Sequence, residues 1–141
     1  MGKVNFFWVD IKPALKQRKK LKAFLNNLFI NEKKALLSIN YIFCSDHYLL
    51  EINRKFLKHD FYTDTITFDL SENAKATTGE IYISSDRVRE NARLHYVSIE
   101  EELHRVIFHS ALHLCGYKDK NPSDKLKMTQ AENKYLQAYL C

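Results

Sequence analysis

The chain has 141 residues, 45% hydrophobic and 28% charged, and 22 Lys and Arg against 17 Asp and Glu give a net charge of +5. That length fits one domain, 1–141, large enough to bury a core without staples, and the composition excludes a disordered or fibrous chain. No apolar run reaches the length of a membrane span, the start M-G-K-V-N-F lacks a signal peptide's layout, and Cys44, Cys115 and Cys141 are too few and too scattered for a disulfide framework, so the expected location is the cytoplasm.

In chain order, residues 4–9, V-N-F-F-W-V, read as a strand from their β-branched and aromatic content. Pro13 suits the first turn of a helix whose apolar stripe is Leu21, Phe24, Leu25, Leu28 and Phe29. A second strand fits 36–43, and Ser45 or Asp46 caps a short helix running to about Phe56. The polar loop L-K-H-D-F-Y-T-D leads to a third strand, T-I-T-F, and G-E-I-Y-I-S at 79–84 makes a fourth. Asp86 begins a helix to about Leu94, and Ser98-Ile99-Glu100-Glu101 has the form of a capping box that opens the next one. Gly116 is placed to end that helix in a left-handed turn, and Pro122 starts the last helix, to about Tyr139. Strands interspersed with helices without regular alternation indicate an α+β fold with one small mixed sheet.

The segment H-S-A-L-H-L-C-G-Y-K-D, residues 109–119, carries the strongest chemical signal. Each helical residue advances roughly 100°, so His109 and His113 lie about 40° apart around the axis and can reach one ion. Taken alone, the pair reads as ordinary core or surface histidines over metal ligands by roughly two to one. The bend at Gly116 adds a way for Asp119 to approach from outside the helix, giving two nitrogens, one oxygen and an open position, as in a catalytic zinc site. His104 is rotated about 140° from His109, and Cys115 falls on the opposite face as a small core residue. His47, His59 and His95 are isolated in sequence, although the loop holding His59 could fold over a site. Ser110 stands where an H-E-x-x-H protease has its glutamate base, which argues against peptide hydrolysis.

With these residues in view, the sequence resembles the YbeY family, metal-dependent endoribonucleases of bacterial ribosomal RNA maturation and ribosome quality control. The family signature, approximately H-G-x-L-H-L-x-G-Y-D-H, is matched at His109, Leu112, His113, Leu114, Gly116 and Tyr117. N-R-K-F-L-K-H-D-F-Y-T-D-T-I-T-F at 53–68 and G-E-I-Y-I-S at 79–84 are similar to two further family blocks in the same order. The resemblance implies a zincin-like α+β domain with a mixed four-stranded sheet and about five to six helices. It also implies one zinc ion held by His109 and His113, and single-stranded ribosomal RNA and the small ribosomal subunit as partners, with 3′-end maturation of the small-subunit RNA as the task.

Two positions depart from the family pattern. Its third histidine falls on Asp119, so the implied ligand set is His109, His113 and Asp119. Its signature arginine falls on Leu57, and Arg54, Lys58 or Lys55 are the nearby cations that would have to supply charge to the scissile phosphate. Arg54, Lys58 and Tyr117 are accordingly the expected RNA contacts, with Phe61 and Tyr62 as weaker stacking candidates. Thr63 and Asp64 either line the cleft or brace a loop, Asp64 alone reading equally well as a turn residue. Lys12, Lys16, Lys19 and Lys20, expected along one side of the first helix, and Arg87, Arg89 and Arg93 read either as solvated helix faces or as a phosphate-tracking groove. Leu57 keeps an alternative open: a ribosome-associated assembly factor whose metal is structural.

Overall fold

The computed structural model describes residues 1–141. Each segment read as a strand or helix forms one, in the order β1 (Lys3–Trp8), α1 (Arg18–Asn31), β2 (Leu36–Cys44), α2 (Asp46–Ile52), a π-helical turn (Asn53–Leu57), β3 (Thr65–Asp69), β4 (Thr77–Ser84), α3 (Ser85–Leu94), α4 (Ile99–Leu114) and α5 (Pro122–Leu140). The first helix is the one displaced. It begins at Arg18, not at Pro13, because Gln17 takes a left-handed backbone (φ 53°) that cannot continue a helix. Lys12 and Lys16 therefore lie on the connection before α1 and not on its face.

The sheet is mixed and four-stranded in the order β1-β2-β4-β3. β1, β2 and β4 run parallel, and β3 is an antiparallel edge strand beside β4, with Thr65 opposite Ile83 and Asp69 opposite Gly79. Alternate residues of a strand face opposite sides. Ile39, Tyr41, Phe43, Ile81 and Ile83 thus join Leu21, Leu25, Phe108, Leu112 and Tyr135 in a core of 24 buried residues beneath α1, α4 and α5. A second, smaller cluster of Cys44, Leu49, Ile52 and Ile66 fixes α2 against the sheet.

Two features set the position of α4, the helix carrying both histidines of the motif. Gly79 on β4 has no side chain, and a Cβ there would come within 2.5 Å of Leu114 Cδ1, so the C-terminal end of α4 settles directly on the sheet. From the middle of the sheet, the Tyr41 hydroxyl donates to the Ile107 carbonyl at 2.8 Å. The ends of α4 are also fixed. The Ser98 side chain accepts from Glu101 N with three glutamates in the first turn, which suits the helix dipole. At the other end Gly116 N donates to His113 O and Tyr117 N to Leu112 O, a Schellman motif that uses the positive φ of Gly116 (104°).

His104 belongs to the packing of this helix. Its ring lies against Phe108 and Tyr139, its Nδ1–H donates to the Glu100 carbonyl at 2.7 Å, and its Nε2 is buried without a partner. Burial holds its pKa below the ordinary histidine value, the Glu100 carbonyl only partly opposing this.

Tyr41→Phe is expected to lower stability by about 1 kcal/mol, the usual net worth of one buried hydrogen bond, read as a melting temperature lower by about 2–4 °C. A histidine with a depressed folded-state pKa contributes stability that is complete above the unfolded value and lost as pH falls through the folded one. Chemical denaturation from pH 7.5 down to 5.5 should therefore show a steeper loss of stability in the parent protein than in His104→Phe.

Candidate metal centre and cleft

A cleft of about 590 Å³ opens between the edge strand β3, the end of α4, the loop leading into β3 and the turn after α4. His109, His113 and Asp119 line it together. Asp119 Oδ2 stands 3.4 Å from His109 Nε2 and 3.2 Å from His113 Nε2, and one ligand atom from each of the three residues lies within 4.8 Å of the others. Atoms sharing a tetrahedral zinc at about 2.0–2.1 Å stand about 3.3 Å apart, so this spacing suits one such ion.

The far side of each imidazole decides how it presents to the cleft. His109 Nδ1 donates to Glu132 Oε2 at 2.6 Å, and His113 Nδ1 donates to the Tyr117 carbonyl at 2.9 Å. Both rings are thereby fixed in the tautomer that turns an Nε2 lone pair toward Asp119, the arrangement that supports a metal ligand from behind. Glu132 is itself buried on α5 and anchored by Arg105 Nη1 at 2.9 Å. Burial disfavours the His109 imidazolium, but the Glu132 hydrogen bond and the charges of Glu132, Asp64 and Asp119 outweigh it and raise the pKa. Such a ring surrounded by carboxylates attracts a cation.

Glu132 escapes a reading of the motif because it lies 23 residues beyond His109. Its signal was present in composition: a carboxylate set on the buried stripe Met128, Ala131, Tyr135, Leu136 and Tyr139 of α5. Ser110 proves structural, since its hydroxyl donates to Val106 O and meets Thr65 Oγ1 at 3.0 Å, joining α4 to β3. Cys115 is buried, with its thiol pushed up to about 12 chiefly by that burial, so it is neither ligand nor nucleophile.

Other expected site residues fall differently. Thr63 and Asp64 line the cleft, and burial, offset in part by His109, raises the Asp64 carboxyl above the usual range. Arg54 does not face the cleft: it is held by Glu51 at 2.8 Å and Asp60 at 2.5 Å on the outer side of the π-helical turn. Lys58 ends that turn with a left-handed backbone (φ 56°) and does not line the cleft either. Tyr117 turns its hydroxyl to Glu32, at 2.9 Å, so only its backbone serves the site. Leu57 does line the cleft, where no guanidinium replaces it; apart from the histidines, the basic residue there is Lys120. Phe61, the less favoured stacking residue, lines the cleft as well. Arg87, Arg89 and Arg93 are each paired with a carboxylate, Asp46, Asp86 and Glu90, which removes them from a free phosphate track.

Comparison with known proteins agrees with this architecture. The family model described as Endoribonuclease YbeY matches residues 9–140. A protein named Endoribonuclease YbeY from Cytophaga hutchinsonii is 49% identical over 133 residues, covering 94% of this chain and 93% of its own. One of the same name from Porphyromonas gingivalis is 43% identical, covering 96% and 89%. The solution structure of TM1509 from Thermotoga maritima superposes with a TM-score of 0.61 at 28% identity, over 96% of this chain and 88% of that one.

Replacing Glu132 by glutamine keeps the shape but removes the charge behind His109. Affinity for zinc, measured by competition with a chromogenic chelator, is expected to fall about 10- to 100-fold.

Proposed function

The chain belongs to the YbeY family of endoribonucleases, and from that membership we propose that it is a zinc-dependent endoribonuclease that cleaves single-stranded ribosomal RNA. Its task is maturation of the small-subunit RNA 3′ end and ribosome quality control, in the cytoplasm, with the small ribosomal subunit as partner. The observation that carries the reading is the convergence of His109 Nε2, His113 Nε2 and Asp119 Oδ2 at the wall of an open cleft. A buried structural metal would instead be closed off by a fourth protein ligand.

When bound, the ion supplies Lewis acidity toward a phosphoryl oxygen and lowers the pKa of an attacking water. The chain's own residues supply the rest. Glu132 and the Tyr117 carbonyl hold the two imidazoles through Nδ1, with each Nε2 aimed at one point. Asp119 contributes an anionic ligand, which offsets part of the ion's charge. Asp64, with its raised carboxyl pKa, is the group on the cleft wall suited to hold a proton near the reacting phosphate. Thr65, tied to Ser110, keeps the edge strand at a fixed distance from α4. Leu57 leaves an apolar wall where the family pattern places a guanidinium, so charge stabilisation falls to the ion and Lys120.

Zinc-loaded protein incubated with ribosomal RNA should cut it, and His113→Ala should reduce cutting to the metal-free background with the fold retained by circular dichroism. Undiminished cutting by His113→Ala would reject the metal-centred reading. Ribosome binding without cleavage, together with melting lowered by chelator, would favour an assembly factor with a structural metal.

A further inference from the structure

The loop between the π-helical turn and β3 is unusually well fixed for an exposed segment. Asn53, 1% exposed, donates from Nδ2 to the Phe61 carbonyl at 2.8 Å, and its own carbonyl accepts from His59 N at 3.1 Å. Arg54 Nε holds Asp60 at 2.5 Å. Three successive residues, His59, Asp60 and Phe61, are thus each tied to the adjoining turn. The product of these ties is an aromatic pair: the His59 and Phe61 rings stack with centroids 5.1 Å apart and planes inclined by 21°. Both side chains line the cleft that holds the His109, His113 and Asp119 group, yet Phe61 remains 55% exposed.

The other aromatic rings of this region have partners. Phe56 packs edge-on against Phe68, Tyr62 has the Arg87 guanidinium over its ring at 5.3 Å, and Tyr117 bonds Glu32. Phe61 and His59 form the pair left facing the cleft, and an apolar ring held in water by three hydrogen-bonded anchors is a preorganised surface for a flat ligand.

We propose that the His59–Phe61 pair is a nucleobase-stacking site, on which one base of a single-stranded RNA rests while the neighbouring phosphate lies by the metal group. The inference rests on the endoribonuclease reading and adds to it the part of the substrate recognised at this edge of the cleft. The chemistry of the walls selects a nucleotide over a purely apolar ligand: the same cleft is lined by the half-buried Thr63, whose hydroxyl can meet a base edge or ribose, and by the exposed Lys120, a cation for the phosphate. Stacking tolerates any base because each presents a π-face. Arg54 has a place in this scheme as a residue that positions the loop through Asp60.

The test uses the full chain and a non-cleavable 2′-O-methyl oligonucleotide carrying 2-aminopurine at each position in turn. Wild type is expected to quench the fluorescence at one position by stacking. Phe61→Leu should relieve that quenching and weaken binding about 5- to 100-fold, the range of one base–aromatic contact. Phe61→Trp should restore both, and an abasic nucleotide at that position should abolish the difference between wild type and Phe61→Leu. With cleavable RNA, Phe61→Leu should raise KM with kcat close to wild type. Melting temperatures of the variants control for folding. No quenching at any position, or Phe61→Leu binding as tightly as wild type, overturns the proposal. Quenching by a protein that cuts no RNA would retain the stacking site while rejecting the nuclease reading.

Discussion

The hydrogen bond from His109 Nδ1 to Glu132 Oε2 and its counterpart from His113 Nδ1 to the Tyr117 carbonyl govern the geometry of the centre. A histidine on a helix face can rotate and flip its ring, and two of them do not by themselves define a point in space. Once each Nδ1–H is committed, both Nε2 lone pairs are directed toward Asp119 and the ring orientations no longer depend on a bound ion. The commitment of His109 rests on α5, since Glu132 and its partner Arg105 bridge α5 and α4. The commitment of His113 rests on the Schellman turn at Gly116, which brings the Tyr117 carbonyl back over the helix end. The last helix and the glycine turn are therefore parts of the site as much as the histidine helix is.

The same turn is secured from outside. The Tyr117 and Tyr135 hydroxyls both donate to Glu32, just past the end of α1. The tyrosine of the motif consequently serves through its main chain while its side chain anchors the turn to α1 and α5. Burial and the Glu32 hydrogen bond push the Tyr117 phenol up to about 12, so the contact persists across the whole neutral range. On the opposite wall, Ser110 and Thr65 join α4 to the edge strand. Where a metalloprotease helix would present a glutamate, this helix makes a buried cross-link, and the cleft keeps its width.

Leu57 and Arg54 show how a substitution in a motif is absorbed. Sequence proximity made Arg54 the natural replacement for an absent arginine. On the π-helical turn, however, its guanidinium lies between Glu51 and Asp60 and contributes to holding the loop instead of contacting the cleft. The resulting wall is less basic and more aromatic than the motif suggests, with Leu57, His59 and Phe61 lining the same cleft as His109, His113 and Asp119.

The elements and the grouping of His109, His113 and Asp119 were legible in the sequence because both are local: hydrophobic periodicity, the capping box at Ser98, Pro122 in the first turn of the last helix, and the spacing of His109, His113, Gly116 and Asp119 depend on residues within a few turns of one another. Even there, the start of α1 escaped, since the left-handed Gln17 carries no compositional mark that Pro13 does not outweigh. Tertiary structure alone decided which side chains face the cleft. Glu132 reaches His109 from a separate helix, Arg54 finds carboxylates before it finds substrate, Tyr117 turns to Glu32, and Phe61 is exposed because Asn53 fixes its backbone. Those outcomes follow from competition among partners distant in the chain, and no window of sequence contains all the competitors.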